Sequence, residues 1–184
     1  MLRSGLNWLV SLGIWLAIVY LAICLFLFFR QNRLIFFPSP VLEANPADWN
    51  LDYEDVWIPV GESHHPLHSW WIPAEGEEQG VVLHLHGNGY NIGANLSQAV
   101  LFHQLGLSVL MLDYRGYGLS KGDFPTEASV YQDARAAWNY LTATRRLSPD
   151  RIFLFGHSLG GAIAIDLAIT LPTTAGMIVQ SSFT

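Results

Sequence analysis

Two hydrophobic patterns divide the chain. Residues 6–29, LNWLVSLGIWLAIVYLAICLFLFF, contain no charge and show no polar face. As a helix they would rise ~36 Å, enough to cross a bilayer with some tilt. The run closes on Phe28-Phe29-Arg30, without the small residues of a signal-peptidase site. A helix buried in a soluble core would seldom be apolar on every face over this length. The pattern predicts an uncleaved transmembrane anchor over residues 1–29. Arg3 and the terminal amine flank one side, Arg30 and Arg33 the other, so the positive-inside rule does not choose an orientation.

Residues 30–50 read as a linker, in which Pro38, Pro40 and Pro46 prevent a continuous helix. Leu34 to Phe37 within it would rest on the membrane surface or on the domain. From residue 51 to 184 the pattern changes to short apolar runs separated by amphipathic ones. Residues 53–60 and 66–73 flank Gly61-Glu62-Ser63 and predict an antiparallel hairpin. Strands are then expected at 81–87, 107–114, 151–155 and 175–182, and helices at 91–105, 126–143 and 159–171, the last ended by Pro172. Strands this apolar, alternating with helices, imply a mostly parallel sheet covered on both faces.

Charge sharpens this division. The first 37 residues hold three arginines and no acid; the remainder holds six basic and fifteen acidic side chains, a net charge of −9 with histidine neutral. That balance excludes a nucleic-acid partner, which requires a basic face. The single cysteine, Cys24, lies inside the apolar run, so no intramolecular disulfide and no cysteine-based metal site forms. His64, His65 and His68 fall close together on the hairpin, but no carboxylate or cysteine cluster accompanies them, and no metal is expected. The chemistry read below needs no cofactor.

The segment with chemical meaning is Gly156-His157-Ser158-Leu159-Gly160, after the strand RIFLF and before the helix AIAIDLAITL. A serine on a sharp strand-to-helix turn holds its hydroxyl clear of the sheet beside a helix N-terminus. Gly156 and Gly160 allow that turn to close, and Gly161 extends the tight packing. Ser158 is the expected nucleophile; a serine that merely caps the helix is the bland alternative. His86-Gly87-Asn88-Gly89 ends another parallel strand on the same edge of the sheet, where ligands bind in α/β folds. A tetrahedral intermediate needs backbone N–H donors aimed at its oxyanion. Leu159 and Asn88 are the expected donors, with His86, Gly87 and Gly89 shaping the loop. The ordinary alternative for Gly-Asn-Gly is a turn. Asp113-Tyr114-Arg115-Gly116-Tyr117-Gly118-Leu119-Ser120 reads as a structural strand end, with Arg115 pairing a carboxylate to fix the loop beside the site.

Together, the serine elbow, the His-Gly-x-Gly loop and the Asp-Tyr-Arg-Gly-Tyr-Gly-x-Ser stretch, in this order, resemble the α/β-hydrolase superfamily. Within it the chain is similar to serine-aminopeptidase-like, single-pass membrane-anchored hydrolases, also through Gln31 to Pro38 and Gln180 to Thr184. The resemblance extends over the whole chain but matches only the first two thirds of such a protein, with the C-terminal strands missing. It implies Ser158 as nucleophile and Asn88 and Leu159 as oxyanion donors. In the family the acid and the histidine follow the serine, and no histidine follows Ser158 here. Asp166 lies about 12 Å along the helix axis from Ser158 and cannot substitute. Asp113 is a weak candidate acid. His157 adjoins Ser158 and is expected as a packed core residue, His84 alternates with His86 on the buried strand, and His103 is a helix residue of surface or core.

Two functions remain open on these residues. The first is the front part of a membrane-anchored serine hydrolase that acts on a carboxylic ester, thioester or amide through an acyl-enzyme. Its substrate would be a small molecule or an acylated species. The second is a non-catalytic, membrane-anchored binding module that keeps the elbow and lacks the base. An apolar last strand left as the sheet edge favours the first, because such an edge invites aggregation.

Overall fold

The computed structural model describes residues 2–61, 65–171 and 173–182. The predicted turn residues Glu62 and Ser63, His64, Pro172, and the terminal Phe183 and Thr184 lie outside the described residues. The chain divides into two compact units, residues 1–35 and 36–184.

The first unit is one helix, α1 (Leu2–Ile35). Its stretch Asn7–Ile35 contains an eighteen-residue window with a mean hydropathy of 2.7 and is long and apolar enough to cross a membrane, a test that a signal sequence also passes. The helix does not stop at residue 29 as the apolar run suggests. It continues through Arg30-Gln31-Asn32-Arg33, good helix formers apart from the asparagine, and stops just before Phe36, where Pro38 blocks further turns.

The expected linker is correspondingly more structured. β1 (Phe37–Pro38) pairs in parallel with β5 (Gly89–Tyr90). Phe36 is buried in the second unit, while Phe37 is exposed. Pro46–Trp49 forms a 3-10 turn rather than an irregular segment, because Asn45 and Asp48 build a reciprocal cap and Pro46 occupies an early position that needs no N–H donor.

The main sheet has six strands in the order β2-β3-β6-β4-β7-β8. β2 (Glu54–Ile58) and β3 (Leu67–Ile72) form the antiparallel hairpin, and β3 runs antiparallel to β6 (Leu107–Leu112). β4 (Gly80–Leu85) lies parallel between β6 and β7 (Ile152–His157), and β8 (Gly176–Gln180) adds in parallel to β7.

Period-two alternation decides which side chains enter which core. On one face Val81, Leu83, Leu85, Leu110, Leu112 and Leu154 pack against α3 (Glu127–Asn139) and α4 (Leu159–Thr170) through Val130, Ala134, Ile163 and Leu167. On the other, Val82, Val109, Met111 and Phe155 meet α2 (Leu96–Gln104) through Leu96, Ala99 and Phe102. The result is the α/β-hydrolase arrangement, a mixed sheet with helices on both faces.

Two helices depart from their predicted spans. The 91–105 segment opens as a 3-10 turn, Ile92–Asn95, before α2. The cause is local: the Asn91 side chain accepts the Gly93 N–H, and the Asp113 carboxylate accepts the Ile92 N–H. The 126–143 segment ends in a π turn, Tyr140–Thr144, whose widened spacing lets the Arg145 N–H reach the Tyr140 carbonyl.

Candidate active site

β4 and β7 end side by side, and their C-terminal loops build the site. Ser158 is the residue between β7 and α4, with φ 53° and ψ −117°. A side chain at positive φ costs on the order of 1–3 kcal/mol, so the surroundings must impose it. They do so by hydrogen bonds on both sides of the residue. The Ser158 N–H donates to the Gln180 carbonyl at 2.9 Å, and the Ser158 carbonyl accepts from Gly161 N–H at 3.0 Å and Ser182 Oγ at 2.9 Å. The side chain stands half-buried at the surface of the turn.

The glycines of the elbow are a matter of space. A methyl on Gly160 would overlap the carbonyls of Leu85 and His86, and one on Gly156 would overlap the backbone of Gly160. α4 therefore begins in direct contact with the end of β4. Leu159 is the first residue of α4, so its N–H belongs to the turn for which the helix supplies no acceptor.

The loop after β4 comes to the same place. A methyl built on Gly87 would stand 3.4 Å from Ser158 Cβ and 3.4 Å from His157 Nδ1. His157 is half-buried there, rather than the core residue expected of it. Asn88 is half-buried and follows directly, and its carbonyl accepts from Phe37 N–H at 2.9 Å and Tyr117 Oη at 2.8 Å. Ser158, Leu159, Gly87 and Asn88 are thus brought together from two adjacent strand ends. Gly89, half-buried, pairs with Phe37 and ties the loop to β1.

His86 is fully buried, its ring 4.5 Å from Tyr114 and 5.0 Å from Tyr117. Its Nδ1 lies 2.7 Å from the Gly87 carbonyl, which can only accept, so Nδ1 carries the proton. Burial pushes the His86 pKa down, against the pull of Asp113, and keeps the ring neutral. Nε2 faces Asp113 Oδ1 at 3.5 Å. The carbonyl of Gly87 and the N–H of Asn88 belong to one planar peptide and point in opposite directions. Holding that carbonyl therefore sets the direction of the Asn88 N–H.

The Asp-Tyr-Arg-Gly-Tyr-Gly-x-Ser stretch does more than the strand end read from it. Tyr114 Oη donates to the His86 carbonyl at 3.1 Å, and Ser120 Oγ donates to the Asp113 carbonyl at 2.7 Å. Arg115 does pair with a carboxylate: its Nε lies 3.0 Å from Asp133 Oδ1, and its backbone N–H donates to Oδ2 at 2.9 Å. Gly118, at φ 51°, lies under the Asp113 carboxylate, which a methyl would overlap. The sequence carried a partial signal for this brace, two tyrosines and a serine at fixed places between glycines. Their partners lie in another loop and have no mark in the motif.

One further expectation changes. Asp113 is fully buried behind His86, its Oδ1 accepting the Ile92 N–H at 2.9 Å, so it is a support of the loop rather than an acid for a catalytic base. His68, on the hairpin, is buried, with Nε2 2.7 Å from Asp55 Oδ1. Among the described residues no group of three or more His, Cys, Asp or Glu is placed to hold a metal ion. His84 binds Gln98 Oε1 through Nε2 at 2.6 Å, and His103 Nδ1 donates to the Pro73 carbonyl at 2.8 Å, both away from Ser158 in role.

Comparison with known proteins agrees with the geometry. A family model described as serine aminopeptidase, S33, matches residues 76–184. The chain belongs to this family of α/β hydrolases. It is 38% identical over 174 residues to an uncharacterized protein of Mycobacterium tuberculosis, covering 91% of this chain and 59% of the relative. It is 33% identical over 162 residues to the α/β hydrolase domain-containing protein WAV2 of Arabidopsis thaliana, covering 84% of this chain and 52% of that protein. Among solved structures, an esterase of Pyrococcus furiosus superposes with a TM-score of 0.68 at 25% identity, covering 80% of this chain and 57% of the esterase. An α/β hydrolase of Vibrio vulnificus gives 0.61 at 32% identity, covering 72% and 46%. The chain thus spans between about half and three fifths of the length of these relatives.

Proposed function

We propose that the protein is a membrane-anchored serine hydrolase that cleaves carboxylic esters through an acyl-enzyme at Ser158. The observation that carries this reading is the forced backbone of Ser158, held at φ 53° beside the loop of Gly87 and Asn88. In the reaction, Ser158 Oγ attacks the ester carbonyl carbon and loses its proton to a histidine base. The carbonyl oxygen becomes an oxyanion and is met by the N–H groups of Leu159 and Asn88. The alcohol leaves with the proton, and water then attacks the acyl-enzyme.

The base and its acid belong to a part of the protein outside residues 1–184, consistent with relatives of which the chain spans 59% and 52%. The esterases among similar solved structures favour an ester over a thioester or amide. The anchor is assigned to α1 on length and apolarity, and it would hold the site near lipid or acylated substrates.

Fluorophosphonate labelling of native membranes from the source cells tests this. The expected result is a labelled peptide containing Ser158 in a membrane protein larger than 20.5 kDa, with labelling abolished by Ser158→Ala. Absence of label on a folded protein that still binds acyl ligands would instead favour the binding-module reading.

A further inference from the structure

The geometry points to Asp55 and His68 as positioning residues for the oxyanion loop, acting through Asp113 and His86 on the peptide that carries the Asn88 N–H. This rests on the reading of Asn88 as an oxyanion donor.

Four titratable side chains from four segments form one line. Asp55 Oδ1 lies 2.7 Å from His68 Nε2, and His68 Nδ1 lies 3.8 Å from Asp113 Oδ2. Asp113 Oδ1 lies 3.5 Å from His86 Nε2, and His86 Nδ1 donates to the Gly87 carbonyl. Only Asp55 reaches solvent, with its side chain 52% exposed. The three atoms facing one another inside, His68 Nδ1, Asp113 Oδ2 and His86 Nε2, are buried and, among the described residues, have no other hydrogen-bond partner. A buried fold seldom leaves three polar atoms open, and here two ring nitrogens face one carboxylate.

One proton arrangement serves the Asp55–His68–Asp113 part of the line and leaves the unprotonated Nε2 of His86 facing Asp113 Oδ1. A positively charged His68 donates from Nε2 to Asp55 and directs its Nδ1 proton at Asp113. Burial opposes that charge, but Asp113 and Asp55 override it and raise the His68 pKa. With the imidazolium of His68 turned to Asp113, the Nδ1–H of His86 stays on the Gly87 carbonyl. Arg115 cannot replace the imidazolium, because it is committed to Asp133.

The other groups facing this line are fixed. Trp57 packs on the His68 ring at 5.0 Å, and Trp70 Nε1 donates to Asp55 Oδ1 at 3.0 Å. Ser120 Oγ accepts the His68 backbone N–H at 2.7 Å. Tyr114 and Tyr117 enclose His86 with their hydroxyls held protonated, and His157 opposes a charge on it. Loss of the His68 proton as pH rises would leave the buried Asp113 carboxyl without a cation beside it. His86 would then move its single ring proton from Nδ1 to Nε2 to donate to Asp113, and the hydrogen bond from Nδ1 to the Gly87 carbonyl would be lost.

The test follows the full-length protein in nanodiscs by two readouts across pH: the Asn88 amide signal, and kcat and KM for 4-nitrophenyl butyrate. In the wild type, the Asn88 signal and kcat should change together at the pH where the His68 imidazole signals titrate, above the usual imidazole value of 6.5. Asp55→Asn keeps the Trp70 acceptor but weakens the hold on the His68 proton. It should move both profiles to lower pH and reduce kcat roughly five- to tenfold between the variant's transition and that of the wild type, with KM within about twofold. His68→Gln should remove that titration altogether. Superimposable wild-type and Asp55→Asn profiles, or an effect confined to KM, would overturn the inference. An Asn88 signal that still follows His68 in a protein inert to the ester would leave the positioning intact and sink the esterase reading instead.

Discussion

The Tyr117 hydroxyl donates to the Asn88 carbonyl at 2.8 Å, joining the glycine-rich segment after β6 to the loop after β4. That carbonyl belongs to the residue whose N–H is the proposed oxyanion donor. Tyr117→Phe removes one hydrogen bond and almost no volume. Its expected effect is a loss of about tenfold in kcat with little change in KM or melting temperature, checked by steady-state kinetics on an activated ester. A change in KM alone would place Tyr117 in substrate binding instead.

Gly160 should tolerate no side chain. In Gly160→Ala the new methyl meets backbone carbonyls of Leu85 and His86, which cannot swing aside as a flexible side chain would. The substitution should cost about 3 kcal/mol or more and displace the start of α4 from β4. Urea unfolding checks the stability, and fluorophosphonate labelling of whatever protein remains folded should be reduced.

The Arg115–Asp133 pair makes a contrasting prediction about stability. Asp133 is fully buried and Arg115 is largely so. Burial pushes the Asp133 carboxyl up, and Arg115 opposes that. Removing the cation alone, in Arg115→Ala, strands a buried carboxylate and should destabilise the fold by about 3–5 kcal/mol. The paired change Arg115→Met with Asp133→Leu should lie much nearer the wild type, because neither charge is then desolvated. Additive losses in a double-mutant cycle would refute a coupled pair.

Acid should weaken the fold through its buried imidazoles. His84 is pushed down from 6.5 to about 4 by burial, against the help of Gln98. Between those values the unfolded chain binds a proton that the folded one refuses. Stability from this group is therefore complete above about 6.5 and is lost as pH falls toward 4, by at most about 3 kcal/mol. His86, also lowered by burial, adds in the same direction. His68 has the opposite sign: its raised pKa contributes stability at low pH that disappears as pH rises through its folded value. Denaturant midpoints across pH should show an acid slope that His84→Leu flattens.

The parts of this protein that could be read from sequence are those where one local pattern decides. The apolar run marked α1, alternation marked the strands, and the glycines around Ser158 marked a tight turn, because each constraint acts within a few residues. The end of α1 is not legible in the apolar run, since charge alone does not stop a helix and Arg30, Gln31 and Arg33 continue it about as readily as leucines would. The 3-10 start at Ile92 was invisible because its cause is Asp113, twenty-one residues away in sequence. The same distance hid the site's supports. Tyr114, Tyr117 and Asp113 stand in one motif and act on another, and Asp55 and His68 sit in a hairpin with no chemical signature. Pairings of this kind are set by strand order, which no single segment encodes.

The bond from the Phe37 N–H to the Asn88 carbonyl gives the short β1 strand a mechanical meaning. Phe36 to Pro38 open the second unit, and through β1 they are woven into the loop that carries Asn88. A cut at Ile35 keeps that seam whole. A cut at Asn50, where composition alone invites it, discards the thread that holds the loop down.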